Sequence, residues 1–276
     1  YSPCRSHNWA EWLGHFERLN MWKCLYESCR GISHVAAGTE CQDASIVTRV
    51  HAKDDELLVL VCADGAGSAH AAAVGARVAC MAVTQKVATD CAGRSLSLMG
   101  HDDVRGWFGE AHAEVEREAK MRNTGARELA CTLLVAVLGK QRAMFGQIGD
   151  GAIVIRRHDS YVHVFWPQSG EYANTTHFIT QADYGQHIQT HILDARVDEV
   201  AIFTDGLQML ALDFARRKPH APFFEPMFSA LRATPDTNDL IVPMRQFLDS
   251  EGVNARTNDD KTLILALRAC NVDAIV

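Results

Sequence analysis

The sequence lacks any stretch approaching the roughly 20 consecutive apolar residues that cross a bilayer, and its most apolar windows, 57–63 and 129–139, have the length of buried strands. A membrane-spanning protein is therefore not expected. Basic runs are equally scarce. None is longer than Arg216-Arg217-Lys218, and 27 Lys and Arg face 34 Asp and Glu, so a nucleic-acid partner is disfavoured. No Cys-x-x-Cys pair occurs among the nine cysteines, whose number is odd and whose spacing is irregular. That removes zinc fingers and a dithiol redox site from consideration. Cys62, Cys80, Cys131 and Cys270 sit in apolar surroundings and read as small hydrophobes, which fits a reducing, cytoplasmic setting. There is no internal repeat, no low-complexity tract and no linker rich in Pro, Ser or Gly. The first residue is Tyr1, and the N-terminus as given has no signal-peptide pattern.

What is present is the composition of a globular protein. Over 276 residues, 47% are hydrophobic and 22% charged, with a net charge of -7, so disorder is excluded as the main state. Strands are expected at 23–29, 44–50, 57–63, 129–138, 143–148, 152–157, 161–165, 188–193, 199–204 and 262–268. The four from 129 to 165 are expected to form one antiparallel meander. The charged residues 53–56 predict a hairpin turn, and 31–38 a glycine-punctuated turn. Helices are expected at 69–89 and 102–122, as neighbours, and at 207–214, 222–233 and 240–251. Strands and helices come in separate clusters, which points to an α+β fold of antiparallel sheets covered by helices rather than a doubly wound parallel sheet. Residues 1–21 are read as a helical appendage in which Trp9, Trp12 and Phe16 share one face, packed on the body of the protein. Residues 22–276 are read as one domain.

The chemistry-bearing pattern is acidic. Asp64 follows the apolar run 57–63 and precedes Gly65. Asp150 stands between Gly149 and Gly151. Asp205 follows Thr204 and precedes Gly206. Asp259 and Asp260 stand directly before the last strand, and Asp43 directly before the strand at Ala44. A carboxylate at a strand end is held by a rigid element yet faces a loop cavity. Several converging would repel one another by several kcal/mol unless cations sat among them. Oxygen ligands without His or Cys partners suit Mg²⁺ or Mn²⁺, and paired ions suit phosphoryl chemistry. Each Asp-Gly taken alone equally marks an ordinary turn.

In order, Gln42-Asp43, Ala63-Asp64-Gly65-Ala66-Gly67-Ser68, Cys131-Thr132-Leu133, Gly149-Asp150-Gly151, Thr204-Asp205-Gly206-Leu207 and Asp259-Asp260-Lys261-Thr262 resemble the metal-dependent protein phosphatases of the type 2C family. The match is best to the bacterial branch whose first motif reads Cys-Gln-Asp, and it spans about residues 22 to 268. The resemblance implies a four-layer α-β-β-α sandwich of two antiparallel sheets flanked by helices. It implies two Mn²⁺ or Mg²⁺ ions with a weaker third position. Asp64 would bridge the two, the Gly65 carbonyl would bind one, Asp205 and Asp259 would complete the other's shell, Asp43 would hold bound waters, and Asp150 with Asp205 would form the third position. Thr132 would take a supporting role or serve core packing. The implied activity is hydrolysis of phosphoserine and phosphothreonine by a metal-bridging hydroxide. No phosphoenzyme is needed, which agrees with the lack of a Cys-x5-Arg loop. The implied partner is a phosphoprotein served by a cognate Ser/Thr kinase, with the chain acting as a monomer.

The sequence also departs from the family pattern. Gly38 stands where the family carries a phosphate-gripping Arg. His34, nine residues before Asp43, is read either as its replacement (binding phosphate or protonating the leaving group) or as a turn histidine. Gln42 replaces a Glu, so the second ion is expected to bind more loosely. Gly151-Ala152 replaces Ser-Arg. Asp260 replaces a frequent Asn, adding charge near the site or capping the strand. Two other readings stay open: the same metal centre removing a different phosphate-linked adduct such as AMP, or a non-catalytic phosphoprotein-binding module. His187 and His191 are expected on one strand face with a structural role, Arg216 to Lys218 at a solvated helix end, and His101-Asp102-Asp103 at a helix start. Residues 166–183 have a polar, loop-like composition, and the resemblance implies a flap there that shapes substrate choice, with Tyr172 and His177 as candidate partner contacts.

Overall fold

The computed structural model describes residues 22–168 and 176–269. In chain order the elements are β1 (Trp22–Cys29), α1 (Ile32–Ala37), β2 (Ala44–His51), β3 (Glu56–Ala63), α2 (Ala72–Cys91), α3 (His101–Met121), β4 (Leu133–Leu138), β5 (Ala143–Ile148), β6 (Ala152–Arg157), β7 (Ser160–Phe165), α4 (Tyr184–His187), β8 (Gln189–Leu193), β9 (Glu199–Phe203), α5 (Gln208–Ala211), β10 (Leu212–Asp213), β11 (Lys218–Pro219), α6 (Ala221–Ala233), α7 (Ile241–Leu248), α8 (Glu251–Asn254) and β12 (Lys261–Arg268). The expected helix around Trp9 to Phe16, together with Tyr172 and Cys270, lies outside the described residues.

Ten strands form two five-stranded antiparallel sheets, ordered β1-β12-β9-β6-β7 and β2-β3-β4-β5-β8. Their alternation explains the near-continuous apolar runs. Leu57, Val59 and Val61 of β3, with Leu133, Val135 and Val137 of β4, face α2 and α3. Leu58, Leu60 and Cys62, with Leu134, Ala136 and Leu138, face Ile153, Ile202 and Ile264 of the other sheet. A third core joins that sheet's outer face to Phe223, Phe224 and Phe228 of α6 and to Met244 and Leu248 of α7. A strand buried on both faces has no polar side to show, so its period-2 signal disappears. Helix, sheet, sheet, helix is the four-layer arrangement.

α3 buries Val104, Trp107, Phe108, Ala111 and Val115 at helical spacing, and Asp103 accepts the Gly100 backbone N–H at 2.7 Å, so His101-Asp102-Asp103 is a helix start. α2 packs beside α3, as expected of helices joined by a short connection.

Several expectations are corrected. The run from 129 to 165 is not one meander. β4 and β5 form a hairpin in one sheet, β6 and β7 a hairpin in the other, and the chain changes sheet at Gly149–Gly151. That crossover runs hard against β4. Gly149 has φ +107, and a Cβ there would lie 2.5 Å from Thr132. The segment 31–38 is the short helix α1, closed by Gly38 in the left-handed region (φ 69). The helices expected at 207–214 and 240–251 are shorter and broken. α5 gives way at Leu212 to the β10–β11 hairpin, and Ser250 starts α8 by accepting the Val253 N–H. Arg216 and Arg217 therefore sit in a hairpin turn and Lys218 opens β11, rather than ending a helix, with the Arg217 guanidinium 5.3 Å from the Trp166 ring centroid. His187 ends α4 and stacks on His177 at 3.6 Å, whereas His191 lies on β8 beside Phe145, so the two share no strand face. Among the described residues, no helix is long and apolar enough to cross a membrane, and all seven cysteines are free.

Candidate active site

Strand register gathers the aspartates. Ala44 pairs with Ala63, so Asp43 before β2 and Asp64 after β3 emerge side by side. In the other sheet, Phe203 pairs with both Leu263 and Ala152. Asp205, Asp259 and Asp150 therefore emerge at one end of three neighbouring strands. Asp64, Asp150 and Asp205 each offer an oxygen within 4.8 Å of the others. Asp259 groups with His34 and Asp260 within the same limit, and its charge also raises the pKa of Asp64, Asp150 and Asp205.

Threonines fix the Asp64 backbone and the carboxylates of Asp43 and Asp150. The Asp64 N–H donates to Thr132 Oγ1 at 3.0 Å, and the Thr132 N–H donates to the Asp64 carbonyl at 2.8 Å. Thr132 is thus a support for Asp64, one of the two readings its sequence position allows. Asp43 is buried, and its Oδ2 accepts from Thr204 Oγ1 at 2.9 Å and Thr262 Oγ1 at 2.7 Å. Asp150 Oδ2 accepts from Thr176 Oγ1 at 2.5 Å. Gln208 Nε2 donates to the Asp150 carbonyl. The Gly65 backbone bridges to Cys131. Close approach of Gly206 to the Asp260 carbonyl, where a Cβ would lie 2.0 Å away, brings the Asp205 and Asp259 segments together.

Asp260 does more than cap a strand. It is buried, its Oδ1 accepts the Gly31 N–H and its Oδ2 the Gln42 N–H, both at 2.6 Å, and His34 Nδ1 lies 2.9 Å from Oδ1. One carboxylate thus clamps both ends of the segment carrying α1, and the His34 ring lies against it, beside Asp259. Gly38 carries no side chain, so no guanidinium occupies that position.

The electrostatics are those of crowded acids. Burial, then the Thr262 hydrogen bond working against it, then the Asp260 charge set the Asp43 pKa, which is pushed up to about 8. Burial and the Asp150 charge push Asp205 up to about 6. Asp64 is raised well above the carboxylate range by burial and by the charges of Asp43 and Asp205. Its carboxylate also faces that of Asp205 within 4.8 Å, an approach that favours either a retained proton or a cation between the two. Burial raises Asp150 as well. Meanwhile Asp43 Oδ1, Asp205 Oδ1 and Gln42 Oε1 are buried without a hydrogen-bond partner among the described residues. Unpartnered buried acceptors carry a desolvation cost of about 1–3 kcal/mol each. A set of hard oxygens that is over-crowded with charge and short of donors fits divalent cations.

Comparison with known proteins agrees with this geometry. A profile described as protein phosphatase 2C matches residues 30–248. The chain belongs to the protein phosphatase 2C family. It is 37% identical over 253 residues to serine/threonine-protein phosphatase 3 of Escherichia coli strain K12, covering 90% of this chain and 99% of that one. Among solved structures, the fold is similar to the catalytic domain of the serine/threonine protein phosphatase PstP in complex with two manganese ions (TM-score 0.60, 15% identity, 90% of this chain and 99% of that one). It is also similar to PppA, a regulatory component of a secretion system in Pseudomonas aeruginosa (TM-score 0.60, 16% identity, 90% and 98%).

Sequence reasoning missed the threonine donors. Thr204, Thr262 and Thr176 read as strand or loop residues, and only the position of the first two beside Asp205 and Asp260 marks them. Replacing Thr132 with Val should leave the Asp64 N–H unpaired in a buried setting. We expect a stability loss of about 1–3 kcal/mol and a fall in Mn²⁺-dependent activity of about tenfold or more, with Thr132→Ser restoring both. Melting curves and Mn²⁺-activation curves check this.

Proposed function

We propose that this phosphatase hydrolyses phosphomonoesters on phosphoserine and phosphothreonine of a protein substrate, using two Mn²⁺ or Mg²⁺ ions and a weaker third position. The observation that carries the reading is the convergence of Asp64, Asp150 and Asp205 within 4.8 Å, with buried carboxylate oxygens of Asp43 and Asp205 left unpartnered. In this reading Asp64, the Gly65 carbonyl, Asp205 and Asp259 hold the two principal ions, Asp43 orients water bound beside them, and Asp150 with Asp205 forms the third position. Divalent ions bound there supply a low-pKa water and a positive clamp on the phosphate oxygens. The chain's own contribution is preorganisation. Thr132 fixes the Asp64 backbone, and Thr204, Thr262 and Thr176 fix the carboxylates of Asp43 and Asp150 before substrate arrives, so little reorganisation accompanies the reaction.

His34 is the acid of this reading. Set against Asp260 and beside Asp259, it delivers a proton to the departing serine or threonine oxygen. His34→Ala should lower turnover of a phosphopeptide about a hundredfold or more while leaving the Mn²⁺ concentration for half-activation nearly unchanged. An activated aryl phosphate, whose leaving group needs no proton, should lose far less. Equal losses on both substrates, or an unaltered pH–rate profile, would return His34 to a structural role.

A phosphoprotein substrate implies a Ser/Thr kinase acting in opposition. Hydrolysis of an aryl phosphate with and without Mn²⁺ separates an enzyme from a binding module. A panel of phosphopeptides and AMP-modified protein then separates phosphomonoester hydrolysis from adduct removal, for which the lack of a guanidinium at Gly38 is the supporting feature. Turnover of phosphopeptides only, and only with metal, is expected. Metal-dependent release of AMP with inert phosphopeptides would overturn the substrate class.

A further inference from the structure

On the outer face of the β1-containing sheet, an apolar groove of about 760 Å³ opens between α5, α6 and α7. Leu25, Leu212, Phe223, Met227, Met244 and Phe247 line it. Its volume lies within the range of occupied binding sites. It is a groove with an open mouth rather than a closed packing defect. Met209 at its rim is 63% exposed, and Pro226 and Ala230 along its α6 edge are exposed too. A mostly apolar lining with few polar groups suits an apolar occupant.

The chain carries a partner of matching chemistry at the right place. In the segment 1–21, Trp9, Trp12, Leu13, Phe16 and Leu19 recur at the spacing of one helical face, with Glu11 and Arg18 on the opposite side. That segment joins the fold at Trp22. Lys23, the second residue of β1, donates from Nζ to the carbonyls of Leu231, Arg232 and Thr234 at the C-terminal end of α6, at 3.3, 3.1 and 2.6 Å. Leu25 lies two residues further along the same strand face and forms part of the groove floor. At about 3.3 Å per strand residue, the join is roughly 10 Å from Leu25. A helix over residues 9–19 would be about 16 Å long, within the roughly 20 Å of the whole 13-residue α6 that walls the groove. The tether is thus anchored to the very helix that forms the groove's edge, and a groove between helices accepts an amphipathic helix by its spaced anchors.

We propose that residues 1–21 dock in cis into this groove, with Trp9, Trp12 and Phe16 as the anchors, completing the outer helical layer over the β1 sheet. The proposal is independent of the catalytic reading. It is tested in the full chain by a benzophenone-bearing aromatic residue incorporated at position 16, irradiated at dilute protein, with the cross-linked peptides mapped by mass spectrometry. Intramolecular cross-links to the peptides containing Met227 or Met244 are expected. Cross-links confined to other faces would overturn the proposal, as would cross-links only between chains, which would make a second copy the occupant. Limited trypsin digestion gives a second readout. Cleavage after Arg18 should accelerate about tenfold in Ala230→Arg and Met209→Glu, both at exposed rim positions, because proteolysis follows the population of the undocked state. Met121→Glu, exposed on α3 under the other sheet, should leave that rate unchanged. An equal cleavage rate in all four proteins would contradict docking.

Discussion

Asp64→Asn should abolish metal-dependent turnover, by about a thousandfold or more, while the fold survives intact. The two effects have different sources. The backbone at this position is held by the reciprocal bonds with Thr132, which involve the Asp64 N–H and carbonyl rather than its carboxylate. Asn keeps the shape and those bonds. What it removes is a group that can ionise only against burial and the charges of three other acids, Asp43, Asp205 and Asp259. The metal-free variant should therefore melt at or above the temperature of the metal-free parent, and the rise in melting temperature on adding Mn²⁺ should largely vanish. Steady-state assays over a Mn²⁺ series, with melting curves on the same samples, check both halves. Near-full activity would remove Asp64 from the centre of the account. Loss of activity together with loss of the folded state would mean the residue is structural.

The second large effect is on stability against pH. Asp43 is pushed up to about 8 and Asp205 to about 6, chiefly by burial, and Asp64 and Asp150 are raised as well. In the metal-free protein the folded state thus holds protons that the unfolded chain, with ordinary carboxylates, has already released. Stability then falls as pH rises, because the native state binds the greater number of protons. This contribution is whole below about pH 4, where the unfolded carboxylates are still protonated. It is lost as pH climbs through the folded values near 6 and 8. Metal-free protein should lose about 5–10 °C in melting temperature between pH 5 and pH 8.5. Mn²⁺ replaces the protons, so it should raise the melting temperature more at pH 8.5 than at pH 5, and its binding should release protons. A melting temperature that is flat or rising with pH in the metal-free protein, with an equal Mn²⁺ effect at both values, would show that the acids are not crowded.

Much of this site was legible because acids at the ends of apolar runs are conspicuous. An Asp-Gly after Leu57–Ala63 or after Glu199–Phe203 stands out against the hydrophobic stretch it closes. The register that brings Asp43 beside Asp64, and Asp150 beside Asp205, was not legible, since pairing is a property of two strands and each sequence segment shows one. The same limit produced the meander error. A hairpin 133–148 followed by a hairpin 152–165 has the same local pattern whether or not both lie in one sheet. Only the crowding of Gly149 against Thr132 marks the change of layer. Helix α1 was hidden because its six residues bury nothing among themselves, so no apolar period appears between Gly31 and Gly38. The threonine donors were hidden for a different reason. Thr204 and Thr262 are good strand formers, and their places next to Asp205 and two residues after Asp260 mark them without telling a threonine that packs from one that donates to Asp43. Asp260 was seen as extra charge, but its task of clamping Gly31 and Gln42 depends on a contact across more than 200 positions of sequence.

The most direct test of the central claim is a crystal structure grown with Mn²⁺, read by anomalous scattering at the manganese edge. The account predicts peaks bounded by the carboxylates of Asp64, Asp205 and Asp259 and the Gly65 carbonyl, with a weaker peak toward Asp150. Absence of any peak there at saturating Mn²⁺, with these side chains paired to lysine or arginine instead, would contradict it.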